Sequence, residues 1–315
     1  MKPELSIIIP VYNEENNLQE LFERISRVMQ HEQTEYEVIF IDDGSTDGSL
    51  EIIKKIQAGD NHCRYFSFSR NFGHEAASSC GFHMCKGSAA VLMDADLQDP
   101  PEMIPAMLEQ WRNGFSIVHV RRKKRAGEKP ATRLTSYLFY RVLNYFSEIE
   151  IPKDVGDFHL IDRKVIAHFN AMGERNRFVR GIIPWIGFKQ TVIDYDRAAR
   201  AHGKTKYNFI RRLLLSFDAI TGFSLAPLRL CIMIGFVVTV FSLIMSAIII
   251  VQKIFLDLNI PGYALLTSGL FLLAGIQLTF LGVIGEYIGK IFTEVRSRPL
   301  YIIDERSDAA SGKDD

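Results

Sequence analysis

The sequence predicts an α/β domain on a mostly parallel sheet, followed by helices that cross a membrane. Three observations carry that reading. Short apolar runs alternate with amphipathic stretches from Leu5 to about residue 200, the rhythm of a parallel sheet covered on both faces. Several runs end in acidic residues, where an open α/β sheet places its ligand crevice. Beyond Arg229 comes Cys231 to Val251, 21 residues without a charge, enough to span a hydrocarbon core of about 30 Å.

Taken in order, the near-continuous apolar runs Leu5–Val11, Glu37–Ile41, Arg64–Ser67, Ala89–Met93 and Ser116–Val120 read as strands. The stretches between them, Glu15–Met29, Asp47–Gln57, His74–Lys86 and Pro101–Arg112, read as helices. Asp47 and Pro101 suit first turns, since one can accept from free N–H groups and the other lacks an N–H that would go unused. Asn13 and Glu14 follow the first strand, Asp42 and Asp43 close the second, and Asp94 and Asp96 follow the fourth. Three polar strand ends are expected to converge on one crevice.

In the second half, the apolar side chains of Cys231–Val251 supply an insertion drive of roughly several kcal/mol. A second uncharged stretch, Asn259 to Gly285, is also long enough, although Gln277 and several glycines weaken it; the alternative is a helical hairpin buried in a core. Arg211, Arg212 and Arg229 precede the first span and Lys290, Arg296 and Arg298 follow the second, while the connecting loop carries only Lys253 and Asp257. Positive flanks stay inside, so the α/β domain and both termini are expected in the cytoplasm. Phe209, Leu213, Leu214, Phe217 and Ile220 recur at helical spacing beside basic residues, a pattern for an interfacial helix or for ordinary packing. The expected divisions are 1–200, 201–229, 230–290 and 291–315, with the acidic tail from Asp304 disordered.

Composition narrows the function. The 37 basic and 37 acidic side chains balance, which argues against a nucleic-acid binder. Cys63, Cys80, Cys85 and Cys231 show no CxxC spacing, so buried thiols in a reducing compartment are expected. The N-terminal apolar run is too short for a signal peptide. No G-x-G-x-x-G follows a strand, and there is neither a P-loop nor a G-x-S-x-G elbow. The eight histidines lack metal-ligand spacing and read as core or surface residues. Asp94, Asp96 and Asp99 crowd a strand end, where like charges repel. Either they form a solvated turn, or a hard divalent cation bridging a diphosphate relieves the repulsion.

The ordered motifs PVYNEE at 10–15, DDGSTD at 42–47, SRNFGHEAA at 69–77, DADLQDPPE at 94–102 and VGDFHLIDR at 155–163 resemble family 2 of the glycosyltransferases. GKTKY at 203–207 and GEYIGKIFTEVRSRP at 285–299 narrow the resemblance to the polyprenyl-phosphate glycosyltransferases, relatives of dolichol-phosphate mannose synthase, and within them to the bacterial undecaprenyl-phosphate glucosyltransferases. The resemblance implies a GT-A, Rossmann-like catalytic domain with interfacial helices and two transmembrane helices in the bacterial inner membrane. It implies a nucleotide-sugar donor, a polyprenyl-phosphate acceptor and a divalent metal ion, Mg²⁺ or Mn²⁺. By motif, Pro10, Tyr12 and Glu14 line the nucleotide pocket, and Asp42 with Asp43 addresses the base and ribose. Asp94, Asp96 and Asp157 are the implied catalytic residues: Asp96 ligates the metal, Asp94 serves the metal and the sugar side with Gln98 close by, and Asp157 faces the transfer site, where it orients the acceptor or a basic neighbour or takes a residual proton. Arg122, Arg125, Arg133 and Lys206 match the family's phosphate-binding positions, with Arg121 an alternative to Arg122 because RRKKR allows a one-residue shift.

The implied reaction is inverting transfer of one sugar, glucose from UDP-glucose, to undecaprenyl phosphate. UDP-N-acetylglucosamine, UDP-galactose and GDP-mannose remain alternative donors, and a silent nucleotide-binding scaffold is the alternative from another class. No Q-x-x-R-W motif is present, in keeping with single-sugar transfer. Gly285 and Gly289 form a small-x-x-x-small pattern, and two lone spans make a homo-oligomer plausible.

Overall fold

The computed structural model describes residues 3–122, 155–175, 177–195, 226–256 and 262–307. They fall into two compact units, the first holding the N-terminal part and the segment after Arg296, the second holding two long helices.

In the first unit the strands are β1 (Leu5–Val11), β2 (Tyr36–Asp42), β3 (Cys63–Phe68), β4 (Ala89–Leu92), β5 (Ile117–Arg122), β6 (Val155–Asp162), β7 (Gln190–Tyr195) and β8 (Ile303–Arg306). The helices are α1 (Leu18–Glu32), α2 (Ser49–Gly59), α3 (His74–Met84), α4 (Ile104–Arg112), α5 (Arg163–Ala171) and α6 (Val179–Trp185). Among the described residues one eight-stranded sheet runs in the order β7-β5-β6-β4-β1-β2-β3-β8.

β1 is central and buried along its whole length, which is why LSIIIPV needs no polar alternation. Pro10 sits just past the last β1–β4 pair, Ile8 with Leu92, so its missing N–H falls where that ladder ends. α1 covers the sheet with Leu18, Leu21, Ile25 and Met29, each fully buried side chain contributing roughly 1.5–3 kcal/mol. On α3, a Cβ added to Gly81 would come within 2.1 Å of Ile8 Cγ2, so only glycine lets this helix lie so close to β1. That close approach sets the height of His74 and Glu75 at the start of the same helix.

Two expectations are refined. The sheet is parallel in four of its seven pairings and antiparallel in β4–β6, β5–β6 and β3–β8, the first two because β6 returns the chain between β4 and β5. VGDFHLID does not read as a strand by composition, since Asp157, His159 and Asp162 break its apolar pattern. The acidic tail is also ordered in part. β8 pairs with the edge of β3, Tyr301 stacks on Phe68 at 5.0 Å, and Lys54 reaches Glu305. Covering a sheet edge gives this segment a partner that its own sequence does not reveal.

The second unit contains α7 (Ala226–Leu256) and α8 (Tyr263–Arg296), helices of 31 and 34 residues. By length and composition, Leu272–Arg296 suffices to cross a membrane, with mean hydropathy 1.5, whereas the apolar stretch Leu230–Ser242 is shorter. Ile232, Met233, Phe236, Leu272, Leu281 and Ile291 are exposed, an apolar surface that water would not favour. A Cβ on Gly285 or Gly289 would meet nothing within 4 Å among the described residues. The expected interfacial helix lies outside the described residues up to its last few positions.

Within the sheet, His119 and His159 face each other across β5 and β6, both 2 % exposed. His119 Nε2 meets Gln190 Oε1 at 3.1 Å, while His119 Nδ1 and His159 Nε2 have no partner among the described residues. Burial, helped by His119, pushes the His159 pKa down to about 3, so the ring stays neutral in the fold. The unfolded chain takes up this proton below about pH 6.5, and stability therefore falls as pH drops from there towards 3. Urea midpoints between pH 7 and 4.5 should decline in wild type and decline less steeply in His159→Phe. Equal slopes in the two proteins would contradict this assignment.

Candidate active site

The crevice is built where β1, β2 and β4 end. Asn13 and Glu14 after β1 are stitched to the loop after β2: Asn13 N–H donates to Ser45 Oγ at 3.1 Å, and Thr46 N–H to Asn13 Oδ1 at 2.8 Å. Glu14 N–H donates to Ser49 Oγ at 2.9 Å, and Asn17 Nδ2 donates to the Glu14 carboxylate at 2.6 Å. Asn13 takes φ 57°, a left-handed conformation that asparagine tolerates. Gly44 is at φ +66°, and a Cβ there would lie 2.4 Å from Arg70 C. DDGSTD therefore needs its glycine for both conformation and space. Tyr12, 48 % exposed, stands open at the rim.

Asp42 and Asp43 are both buried, and their oxygens face inward. Asp42 accepts from Ser67 Oγ at 2.7 Å and from Ser45 N–H at 3.2 Å. Asp43 accepts from Phe72 N–H at 2.6 Å, Gly73 N–H at 2.9 Å and Asn71 Nδ2 at 2.9 Å. Burial raises the Asp43 pKa, and the Phe72 and Gly73 amides oppose that rise. This carboxylate fastens the loop that leads into His74.

The acidic run after β4 separates into distinct roles. Asp99 is buried and accepts from Asp94 N–H at 3.2 Å, turning the chain back on itself. Asp96 accepts from Gln98 N–H at 3.1 Å, and Leu97 takes φ 60° to close the turn. Asp94, Asp96 and Gln98 stay partly exposed.

The third site element is Asp157 on β6, whose side chain is 4 % exposed. Arg180, from α6, donates Nε and Nη2 to the two Asp157 oxygens as a fork. His74 Nε2 lies 3.3 Å from Asp157 and 3.9 Å from Asp94. Glu75 accepts from Val179 N–H at 2.9 Å and so anchors the start of α6. Burial alone would raise the Asp157 pKa, but the hydrogen bonds of Arg180 and His74 hold it far below the usual carboxylate range. Burial would lower the His74 pKa; the Asp157 hydrogen bond and the charge of Asp94 override it and lift it to about 9. Removal from water raises Asp94, His74 opposes that, and Asp157 and Asp96 add to it.

Donor atoms of His74, Asp94 and Asp157 lie within 4.8 Å of one another, a set that could hold a metal ion. Within it, Asp157 already has a cation on both oxygens. Asp94, 3.9 Å from His74, and Asp96, which accepts from Gln98 N–H, offer hard oxygens that stay partly exposed. Asp94, Asp96, Gln98 and Asp157 thus reach one edge of the sheet with Asn13 and Glu14, whereas Asp42 and Asp43 brace that edge. Arg122 ends β5, and Arg125, Arg133 and Lys206 lie outside the described residues. Sequence reasoning missed three residues. His74 and Glu75 were visible only as part of SRNFGHEAA, and Arg180 follows from α6 packing beside β6, for which no spacing rule exists.

Residues 6–169 match the family described as Glycosyl transferase family 2, and residues 226–291 match the GtrB C-terminal hairpin. The chain belongs to glycosyl transferase family 2, and its sheet is the GT-A-like mixed α/β fold. It is 44 % identical to the uncharacterized glycosyltransferase YkcC of Bacillus subtilis, over 95 % of this chain and 92 % of that protein. It is 36 % identical to the bactoprenol glucosyl transferase of Shigella phage SfII, over 95 % and 97 %. A solved structure, glucosyl-3-phosphoglycerate synthase of Mycobacterium tuberculosis with Mn²⁺, UDP-glucose and phosphoglyceric acid, has a TM-score of 0.46, 18 % identity, and coverage of 70 % and 78 %.

Because Asp43 holds three donors inside the protein, Asp43→Ala should cost roughly 2–3 kcal/mol and lower the thermal midpoint of the ligand-free protein by roughly 5–10 °C. A melting curve decides between bracing and ligand contact. An unchanged midpoint with weakened nucleotide binding would reverse the assignment.

Proposed function

We propose that the protein transfers one glucose from UDP-glucose to a polyprenyl phosphate, with inversion, at the cytoplasmic face of a bacterial inner membrane. The observation that carries this reading is the pairing of a family 2 domain with the GtrB C-terminal hairpin in a chain similar over nearly its whole length to a bactoprenol glucosyl transferase. Two spans, formed by α7 and α8, follow from the acceptor's chemistry. Each CH₂ of a polyprenyl tail costs about 0.8 kcal/mol to expose, so the enzyme works where the tail stays buried.

The donor side is assigned to Pro10, Tyr12 and Glu14 after β1, with Asp42 and Asp43 shaping the loop beneath. Asp94 and Asp96 would hold Mg²⁺ or Mn²⁺, with Gln98 beside them, and their partly exposed hard oxygens suit such an ion. When bound, that ion neutralises the charge that grows on the departing diphosphate. The acceptor is a phosphate monoester with a second pKa of roughly 6, so it is largely dianionic at neutral pH and needs little help in losing a proton. The protein's task is then to bring the acceptor's phosphate oxygen to about 3–3.5 Å from the anomeric carbon of an equally anionic donor. Arg122, Arg125, Arg133 and Lys206 are assigned to that task by motif.

The full chain in bilayer nanodiscs, given UDP-[¹⁴C]glucose, undecaprenyl phosphate and Mg²⁺, should yield a labelled lipid. EDTA should stop the reaction, and Asp96→Ala should slow it roughly a hundredfold or more. Product formed from a different nucleotide sugar and none from UDP-glucose would overturn the donor assignment. Wild-type rates in Asp96→Ala would overturn the metal assignment.

A further inference from the structure

Arg180 stands out because its role in the fold leaves part of it idle. Its guanidinium carries five N–H donors, and among the described residues the fork to Asp157 occupies only Nε and one hydrogen of Nη2. The side chain remains 48 % exposed although its partner carboxylate is 4 % exposed. An arginine serving only to neutralise a buried aspartate would have no reason to keep that open edge beside Asp94 and His74.

The surrounding structure fixes where Arg180 starts and where its fork lies. Glu75 and His74 are consecutive on α3, and Val179 and Arg180 are consecutive on α6. Glu75 accepts from Val179 N–H at 2.9 Å while His74 approaches Asp157 at 3.3 Å. Arg180 is therefore held at its helix start and at its fork, and little side-chain entropy is left to lose when it meets a ligand.

We propose that the outward edge of Arg180 binds phosphate oxygens of the reactants, and that Asp157 is a positioning residue that aims it. This deepens the transfer reaction proposed above and rests on it for the nature of the anion. Phosphate oxygens come from two sources, the diphosphate of the donor and the monoester of the acceptor. A planar fork with donors on its free side suits either one. Asp157 itself uses both oxygens on Arg180 and is too enclosed to present much of its surface to a ligand.

The test uses the full chain in nanodiscs. Calorimetry measures UDP affinity and, separately, affinity for a short-chain polyprenyl phosphate, in wild type, Arg180→Gln, Arg180→Lys, Asp157→Asn and the Arg180→Gln/Asp157→Asn double variant. Arg180→Gln should weaken one of these ligands by roughly ten- to a hundredfold, as expected for loss of charge-assisted hydrogen bonds. Arg180→Lys should recover part of the loss, because it restores charge without the fork. Asp157→Asn should weaken the same ligand, and the double variant should be no weaker than Arg180→Gln alone. The UDP arm assigns Arg180 to the donor and the lipid arm assigns it to the acceptor.

Affinities within twofold of wild type for both ligands in both Arg180 variants would overturn the proposal. So would an Asp157→Asn protein with a lowered kcat and unchanged affinities, the behaviour of a general base. UDP binding is read whatever the sugar, so a wild type that binds UDP but transfers no glucose fails the donor assignment and leaves this test standing. A wild type that binds neither ligand overturns both.

Discussion

The site depends on one electrostatic constraint: several carboxylates meet at the end of a buried sheet, and each must be given a positive or hydrogen-bonding partner. Asp43 is met by backbone amides, Asp42 by serine groups and Asp157 by Arg180 and His74. Asp94 and Asp96 are the ones left facing the crevice. The protein's own donors thus engage the carboxylates that brace the structure, while Asp94, 3.9 Å from His74, and Asp96, held by the Gln98 amide, stay partly exposed for an external cation.

That division explains why the fold around the site is so tightly specified. Gly81 lets α3 approach β1, which sets His74 within reach of Asp157. Gly44 lets the loop after β2 pass against Arg70 and Asn71, the loop that Asp43 holds. A misplacement of α3 by even one ångström would break the contact of His74 with β6 and loosen α6, whose start Glu75 anchors. Packing and charge are one problem here.

Much of this was legible in the sequence, for identifiable reasons. β1 to β5 and α1 to α4 announce themselves because continuous apolar runs and helical spacing are local signals. Asp94 and Asp96 could be read from their position after such a run. β6 was not read as a strand because it has no continuous apolar run: Asp157 faces the site, His159 lies opposite His119, and Asp162 accepts from Trp111 Nε1. Arg180 and β8 depend on contacts across long stretches of chain, with β8 found only by the edge of β3 that it covers. Asp43 was legible as part of a motif, but its inward orientation was not, because a motif gives residue identity and not direction. The two long apolar helices were legible from charge-free length, and α8 extends past Gly285 to Arg296.

The account turns on where a divalent cation sits relative to Asp157. The most direct measurement is an anomalous-scattering map of the full chain crystallised with Mn²⁺ and UDP. The account predicts one peak at about 2.1 Å from carboxylate oxygens of Asp94 and Asp96, with the Arg180 fork still closed on Asp157. A peak centred among His74, Asp94 and Asp157, with Arg180 swung away, would contradict it.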